Sequence, residues 1–264
     1  MKTTISSLLK IYENGEKFTV LTCYDAIFAT LLTDCGVDVL LVGDSLGNVI
    51  QGEETTLSVT LENMIYHTRC VARGADEAFI MVDMPFGTSQ LSPEHTFENA
   101  RQLIAAGAHM VKIEGGRIMA DTIQFLTKRG IPVCAHIGLM PQSIHQLGGY
   151  KIQGNTETSA KQLLEDAQIL EKSGANLLLM EVIPASLAKQ ITETLSIPTI
   201  GIGAGIDCTA QVLVLHDMLG IYKKKKSKFI KNFMTESHSI REAVCNYVKA
   251  VKSGQFPDKE HEFQ

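Results

Sequence analysis

Eight short runs of apolar, largely β-branched residues recur along the chain, each closing on a polar residue or a glycine. They span 18–24, 37–42, 78–82, 110–113, 131–135, 176–182, 197–202 and 211–215. Each is too short for a helix, and most are apolar on both faces, as buried parallel strands are. Helical patterns fill most of the gaps, at 27–35, 61–73, 93–106, 119–129, 159–172 and 186–195. Local chemistry marks their ends. Thr60 suits an N-cap, Ser92-Pro93 supplies a cap and a first-turn proline, and Gly130 and Gly174 follow two C-termini.

Strands that alternate with helices pair in parallel through crossovers. Eight such units in 264 residues predict a single (β/α)8 TIM barrel, a fold that needs roughly 250 residues. An open doubly wound sheet is the second reading. The eighth unit is the least clear, because 211–218 also reads as a helix. A helical C-terminal tail is expected from about residue 227. No repeat or low-complexity linker divides the chain, so one domain over 1–264 is expected. The glycine-bearing connections 47–59 and 138–158 are long enough to be lids.

Lys plus Arg is 24 and Asp plus Glu is 29, a net charge of −5. No basic excess points to nucleic acid or an anionic membrane. The basic run at 223–226 with Lys228 reads as a solvated loop. Cysteines 23, 35, 70, 134, 208 and 245 form no C-x-x-C pair. Reduced thiols in a cytoplasmic protein are expected, not a disulfide frame or a zinc site. Hydroxyls and lysines interrupt the first ten residues, so no signal peptide is read. No apolar run approaches the roughly 20 residues that span a bilayer.

In a parallel barrel all strand C-termini face one mouth, where active sites sit. Asp25 reads as a helix cap. Four other acids, Asp44, Asp83, Glu114 and Glu181, would converge there with Lys112 and His136. Carboxylates gathered without a cation repel and raise one another's pKa. Oxygen-only donors of this kind suit Mg²⁺, which keeps waters that a substrate can displace. Lys112 and Glu114, two apart, share one face of their strand. They form either a rim salt bridge or a device in which Lys112 neutralises a substrate oxyanion and Glu114 supports the metal. Glu181 lies in an apolar run, so a raised pKa suited to a general base is expected. The alternative is a carboxylate paired with a rim cation. His136 reads as a ligand, an acid–base group or a satisfied histidine of the lining, with a positioning role favoured. Gly201-x-Gly203-x-Gly205 is an incomplete dinucleotide motif in the wrong place, and close backbone approach explains it better. Together these residues suit proton abstraction beside a ketone, chemistry of the aldol type.

Particular blocks carry a resemblance. They are Val42-Gly43-Asp44-Ser45-Leu46-Gly47, Val59-Thr60-Leu61-Glu62-Asn63-Met64-Ile65-Tyr66-His67, Val82-Asp83-Met84-Pro85-Phe86, and Val111-Lys112-Ile113-Glu114-Gly115-Gly116. His136-Ile137-Gly138-Leu139, Gly148-Gly149-Tyr150, Gly201-Ile202-Gly203-Ala204-Gly205 and Gln211-Val212-Leu213-Val214 continue it. From about residue 4 to 233 the chain resembles the ketopantoate hydroxymethyltransferase family. The resemblance implies a barrel of the phosphoenolpyruvate/pyruvate superfamily that uses Mg²⁺ and 5,10-methylenetetrahydrofolate. It implies hydroxymethylation of 3-methyl-2-oxobutanoate to 2-dehydropantoate, for pantothenate synthesis. Asp44, Asp83 and Glu114 would hold the metal. Asp44, Ser45, Asp83 and Lys112 would contact the keto acid, and Glu181 would accept the proton. A large homo-oligomer, commonly a decamer, is also implied. Met140 stands where the family usually has threonine, Ser58 where it has proline, and Asn48 where methionine is commoner. A related Mg²⁺-dependent lyase would bring a catalytic cysteine on a lid, and none lies in 116–129 or 138–158. A decayed binding scaffold would not keep all five central residues.

Overall fold

The computed structural model describes residues 2–221 and 227–264. The lysine run at 223–226 therefore lies outside the described residues; Lys228 is exposed. Eight strands form one closed, all-parallel barrel in chain order. They are β1 (Phe18–Thr22), β2 (Val39–Val42), β3 (Phe79–Asp83), β4 (Met110–Glu114), β5 (Val133–Gly138), β6 (Leu177–Glu181), β7 (Thr199–Ile202) and β8 (Ala210–Leu213). β8 pairs back onto β1 from Phe18↔Ala210 to Leu21↔Leu213, which removes the open sheet as an alternative.

The helices are α1 (Ile5–Glu13), α2 (Ala26–Asp34), α3 (Leu46–Val49), α4 (Leu61–Gly74), α5 (Pro93–Ala106) and α6 (Ala120–Thr127). α7 (Ile144–Leu147), α8 (Glu157–Lys172), α9 (Ala185–Thr194), α10 (Leu215–Met218) and α11 (Ile240–Lys252) complete the set. Asp25 caps α2 by accepting from the Phe28 N–H, as read from the sequence. Thr60 and Ser92 cap α4 and α5 in the same way. No helix among the described residues is long and apolar enough to cross a membrane.

Alternation along each strand divides the core in two. Phe18, Val20, Val39, Leu41, Phe79, Met81, Met110, Cys134, Leu177, Leu179, Ile200, Ala210 and Val212 fill the barrel interior. Residues of the opposite parity, such as Leu21, Leu40, Ile80, Val111 and Leu178, pack against the helices. A strand keeps its parity to its end. Two steps beyond Met81 the interior position is Asp83, and beyond Met110 come Lys112 and Glu114. Cys134 is followed by His136, and Leu179 by Glu181. Apolar layers thus fill the lower barrel, and charged side chains close its top.

Three expectations need correction. β3, β4 and β5 run on through Asp83, Glu114 and His136, because hydrogen-bond pairing continues past the last apolar residue. The eighth unit is a strand followed by one helical turn, α10, so the helix alternative holds only for 215–218. The tail is not helical from 227: a 3-10 turn spans Phe233–Glu236 and α11 follows. α11 seals the β8–β1 seam. The buried Tyr247 hydroxyl lies 3.0 Å from Val20 O and 2.8 Å from Gln211 O. α1 covers the opposite end, with Leu8 buried under the interior cluster. Gly201, Gly203 and Gly205 serve close packing, as Cβ atoms there would meet Cys208, Phe229 and Ala185 within 3 Å.

Candidate active site

The mouth brings together every charged residue singled out from the strand ends. Asp44, Asp83, Lys112, Glu114 and His136 are buried, whereas the Glu181 side chain keeps 15% of its surface exposed. Strand register sets the order, with Asp83 beside Lys112, Glu114 beside His136, and Gly138 beside Glu181. Lys112 Nζ lies 3.0 Å from Asp83 Oδ1, 3.8 Å from Glu114 Oε1 and 3.2 Å from His136 Nδ1. His136 Nδ1 is 3.4 Å from Glu114 Oε1, and its Nε2 is 3.4 Å from Glu181 Oε2. The rim partner of Glu181 is therefore a histidine. Ser45 is half-buried at the head of α3, its Oγ 2.9 Å from the Tyr24 hydroxyl.

These groups line a cavity of about 160 Å³. A second cavity, about 410 Å³, adjoins it and shares Asn48, Tyr150, Glu181, Asp217 and Phe229 as walls. The two long connections reach both, through Asn48 and Tyr150. Of the three departures from the family pattern, Asn48 alone lines the cavities, and its Nδ2 donates to Glu53 O.

Charge is unevenly satisfied. Burial, then the neighbouring Asp83 and Glu114 carboxylates, push Asp44 well above the usual carboxylate range. Burial disfavours the Lys112 ammonium, but Asp83, Glu114 and Asp44 together hold it above its ordinary value. Burial also opposes ionised Glu114, yet His136 and Lys112 outweigh it and lower the pKa. For His136, burial and Lys112 act against the imidazolium; Glu114 and Glu181 prevail and raise it to about 8. Two buried atoms on residues of the cavity wall lack an aligned hydrogen bond, Asp83 Oδ1 and His136 Nε2. Four acids, Asp44, Asp83, Glu114 and Glu181, face two basic groups, Lys112 and His136, and a divalent cation would hold Asp44 ionised against that upward push. Among the described residues no three His, Cys, Asp or Glu side chains close around an ion by themselves. Lys112 stands among the acids, so an ion there would take only part of its shell from protein. Mg²⁺ is bound in that manner, with water and substrate oxygens completing the shell.

The backbone beside Glu181 is strained. Val182, a β-branched residue, sits at φ 49°, an uncommon region for such a side chain. Three hydrogen bonds fix it there: Leu139 N–H to Glu181 O, Gln153 N–H to Val182 O, and Val182 N–H to Ile202 O. Gly138, at φ +93°, lets β5 pass so near that a Cβ would stand 2.3 Å from Glu181 O.

Sequence reasoning missed three residues here. Tyr24 holds Ser45, Asp217 lines both cavities, and Gln142 reaches Asp44 and Glu114. A lone tyrosine, aspartate or glutamine in a connection carries no periodic signal.

The family model described as Ketopantoate hydroxymethyltransferase matches residues 2–259. The chain belongs to the ketopantoate hydroxymethyltransferase family. This family member is 68% identical to the 3-methyl-2-oxobutanoate hydroxymethyltransferase of Nitrosospira multiformis, with 100% of both chains covered. It is 63% identical to that of Nitrosomonas europaea, over 98% of this chain and 97% of the relative. Its barrel is similar to solved structures at low identity. One is an oxaloacetate acetylhydrolase bound to 3,3-difluorooxalacetate, with TM-score 0.61, 14% identity, and 97% and 98% of the two chains covered. Another is 2,3-dimethylmalate lyase, a PEP mutase/isocitrate lyase superfamily member, at TM-score 0.60 and 16% identity, covering 96% and 95%. At this identity the likeness is one of fold, a closed barrel of eight parallel strands.

Proposed function

We propose that the chain transfers a hydroxymethyl group from 5,10-methylenetetrahydrofolate to C3 of 3-methyl-2-oxobutanoate, giving 2-dehydropantoate for pantothenate synthesis. Relatives of the same length bear the name of this activity. The observation that carries the reading is the separation of Glu181 from the other acids. It is the least buried of the four, lines both cavities, and among the described residues meets the Lys112 cluster through His136. A base so placed faces a carbon, while the cluster receives the oxygens of the same molecule.

Asp44, Asp83 and Glu114 would hold Mg²⁺, in keeping with the hard oxygen donors and the excess of acids over bases. Once bound, the ion supplies charge stabilisation for the developing enolate. The side chains do the rest. Lys112 and Ser45 bind and orient the keto-acid oxygens beside Asp44 and Asp83. The C3–H bond breaks toward Glu181, and its electron pair forms the new bond to the methylene carbon; both C–N bonds of the methylene bridge break, water supplies the hydroxyl oxygen, and the two nitrogens take up the protons as tetrahydrofolate leaves. His136, as imidazolium, holds Glu181 in place from its Nε2 side. The adjoining cavity, walled by Tyr150, Phe229 and Phe263, suits the flat ring of the one-carbon carrier.

The test is deuterium exchange at C3 of 3-methyl-2-oxobutanoate with Mg²⁺ and without folate. The unaltered protein should exchange. Glu181→Gln should lose about 10²–10⁴-fold, the usual worth of a positioned base. Normal exchange in that variant would remove Glu181 as the base. A cytoplasmic setting is part of the same reading and fits six cysteines that are all free thiols. So is a homo-oligomer, of decameric size, for which Ile27, Tyr66, Leu91 and Ile118 offer exposed apolar surface.

A further inference from the structure

Gln142 lies on the 3-10 turn Pro141–Ser143 after β5, 98 residues from Asp44 in sequence. Its side chain is buried and fully engaged. Nε2 donates to Asp44 Oδ2 at 2.9 Å and to Met84 O at 2.9 Å. Oε1 accepts from Gln90 Nε2 at 3.2 Å. The Gln142 backbone N–H donates to Glu114 Oε2 at 3.1 Å. One residue therefore grips carboxylates from the ends of β2 and β4.

The direction of these bonds is forced. A carbonyl only accepts, and so does a carboxylate in its ionised form, so the Gln142 NH₂ must face Met84 and Asp44. Gln90 is oriented by the same logic. Its Oε1 accepts from the backbone N–H groups of Gly87 and Ser89, at 2.8 and 3.2 Å, which can only donate. Polarity then runs one way, from the loop after β3, through two amides, to Asp44. Oδ2 is thus the Asp44 oxygen that Gln142 engages, in a residue that lines the cavity.

We propose that Gln142 is the positioning residue of the cation site, and that Gln90 sets the orientation of its amide. The pair holds Asp44 in the one rotation that offers Oδ1 to an ion, and ties Glu114 to the same turn. This rests on the divalent-cation reading of the mouth. Outer partners of this kind typically change metal affinity by about 10–100-fold when removed.

The test is Mn²⁺ binding to the full chain, followed by electron paramagnetic resonance without keto acid or folate. Three variants are compared. Gln142→Glu keeps the shape but puts an acceptor against Asp44. Gln90→Glu, at an exposed position, keeps the acceptor for Gly87 and Ser89 and invites the Gln142 amide to turn over. Asp83→Asn removes a proposed ligand. Asp83→Asn should lose Mn²⁺, and Gln142→Glu should weaken it by about 10–100-fold. Gln90→Glu should weaken it in the same direction without lowering the metal-free melting temperature. In turnover its loss should fall on the KM for Mg²⁺ rather than on kcat. Unchanged Mn²⁺ affinity in Gln90→Glu and Gln142→Glu, alongside loss in Asp83→Asn, overturns the positioning role. Should Gln142→Glu not fold, Gln90→Glu decides alone. Full affinity in Asp83→Asn would instead overturn the cation reading, and this inference with it.

Discussion

His136 keeps its proton where burial alone would strip it, because Glu114 and Glu181 flank its two ring nitrogens. Its folded pKa, about 8, lies above the unfolded value near 6.5. Stability from this group is therefore fully present below about pH 6.5 and lost as pH rises through about 8. The difference corresponds to on the order of 2 kcal/mol. Raised Asp44 acts with the same sign. Urea unfolding of the metal-free protein should show lower stability at pH 9 than at pH 6, and His136→Asn should flatten the difference. An equal slope in that variant would contradict the pairing. At this scale the sequence was readable wherever strand parity extended an apolar series, as for Asp83, Glu114 and His136. Asp25 was readable as a cap because its partner lies three residues away. Gln142 and Tyr24 were not, because their partners come from other strands.

Elements place these residues through their ends. β5 and β6 converge so closely at Gly138 and Glu181 that only a glycine fits. Gly138→Ala combines a left-handed backbone with a 2.3 Å approach to Glu181 O. It should cost at least about 1–3 kcal/mol. It should also cut C3 exchange more than keto-acid binding, because Glu181 moves while Lys112 does not. Urea unfolding and exchange on one preparation check this, and unaltered exchange would show that Glu181 is placed by other means. Strand existence was legible from the apolar runs; strand ends were not, since pairing ignores side-chain polarity. α1 went unread for a related reason. The hydroxyls of Thr4 and Ser7, which interrupt the apolar pattern, form its capping box.

The whole molecule is a barrel with one closed and one working end. α1 covers the bottom, α11 seals the last seam, and the connections after the strands build the top. Ile27 and Ile118 remain 80% exposed and Leu91 76%, apolar surface that association of copies would cover. Sedimentation should therefore report an assembly much larger than the 28.9 kDa chain; a monomer would contradict this. Assembly could not be read from periodicity, which reports burial within a chain and not between copies. The parity of β4 has a consequence for how such a barrel can diverge. One residue gained or lost within β4 would turn Lys112 and Glu114 outward to the helices and Ile113 inward. Strand interiors are thus closed to insertion and deletion, whereas the connections 47–59 and, beyond Gln142, 143–158 can change length at less cost to the acids. Evolution of a new substrate preference on this scaffold would have to proceed through those loops.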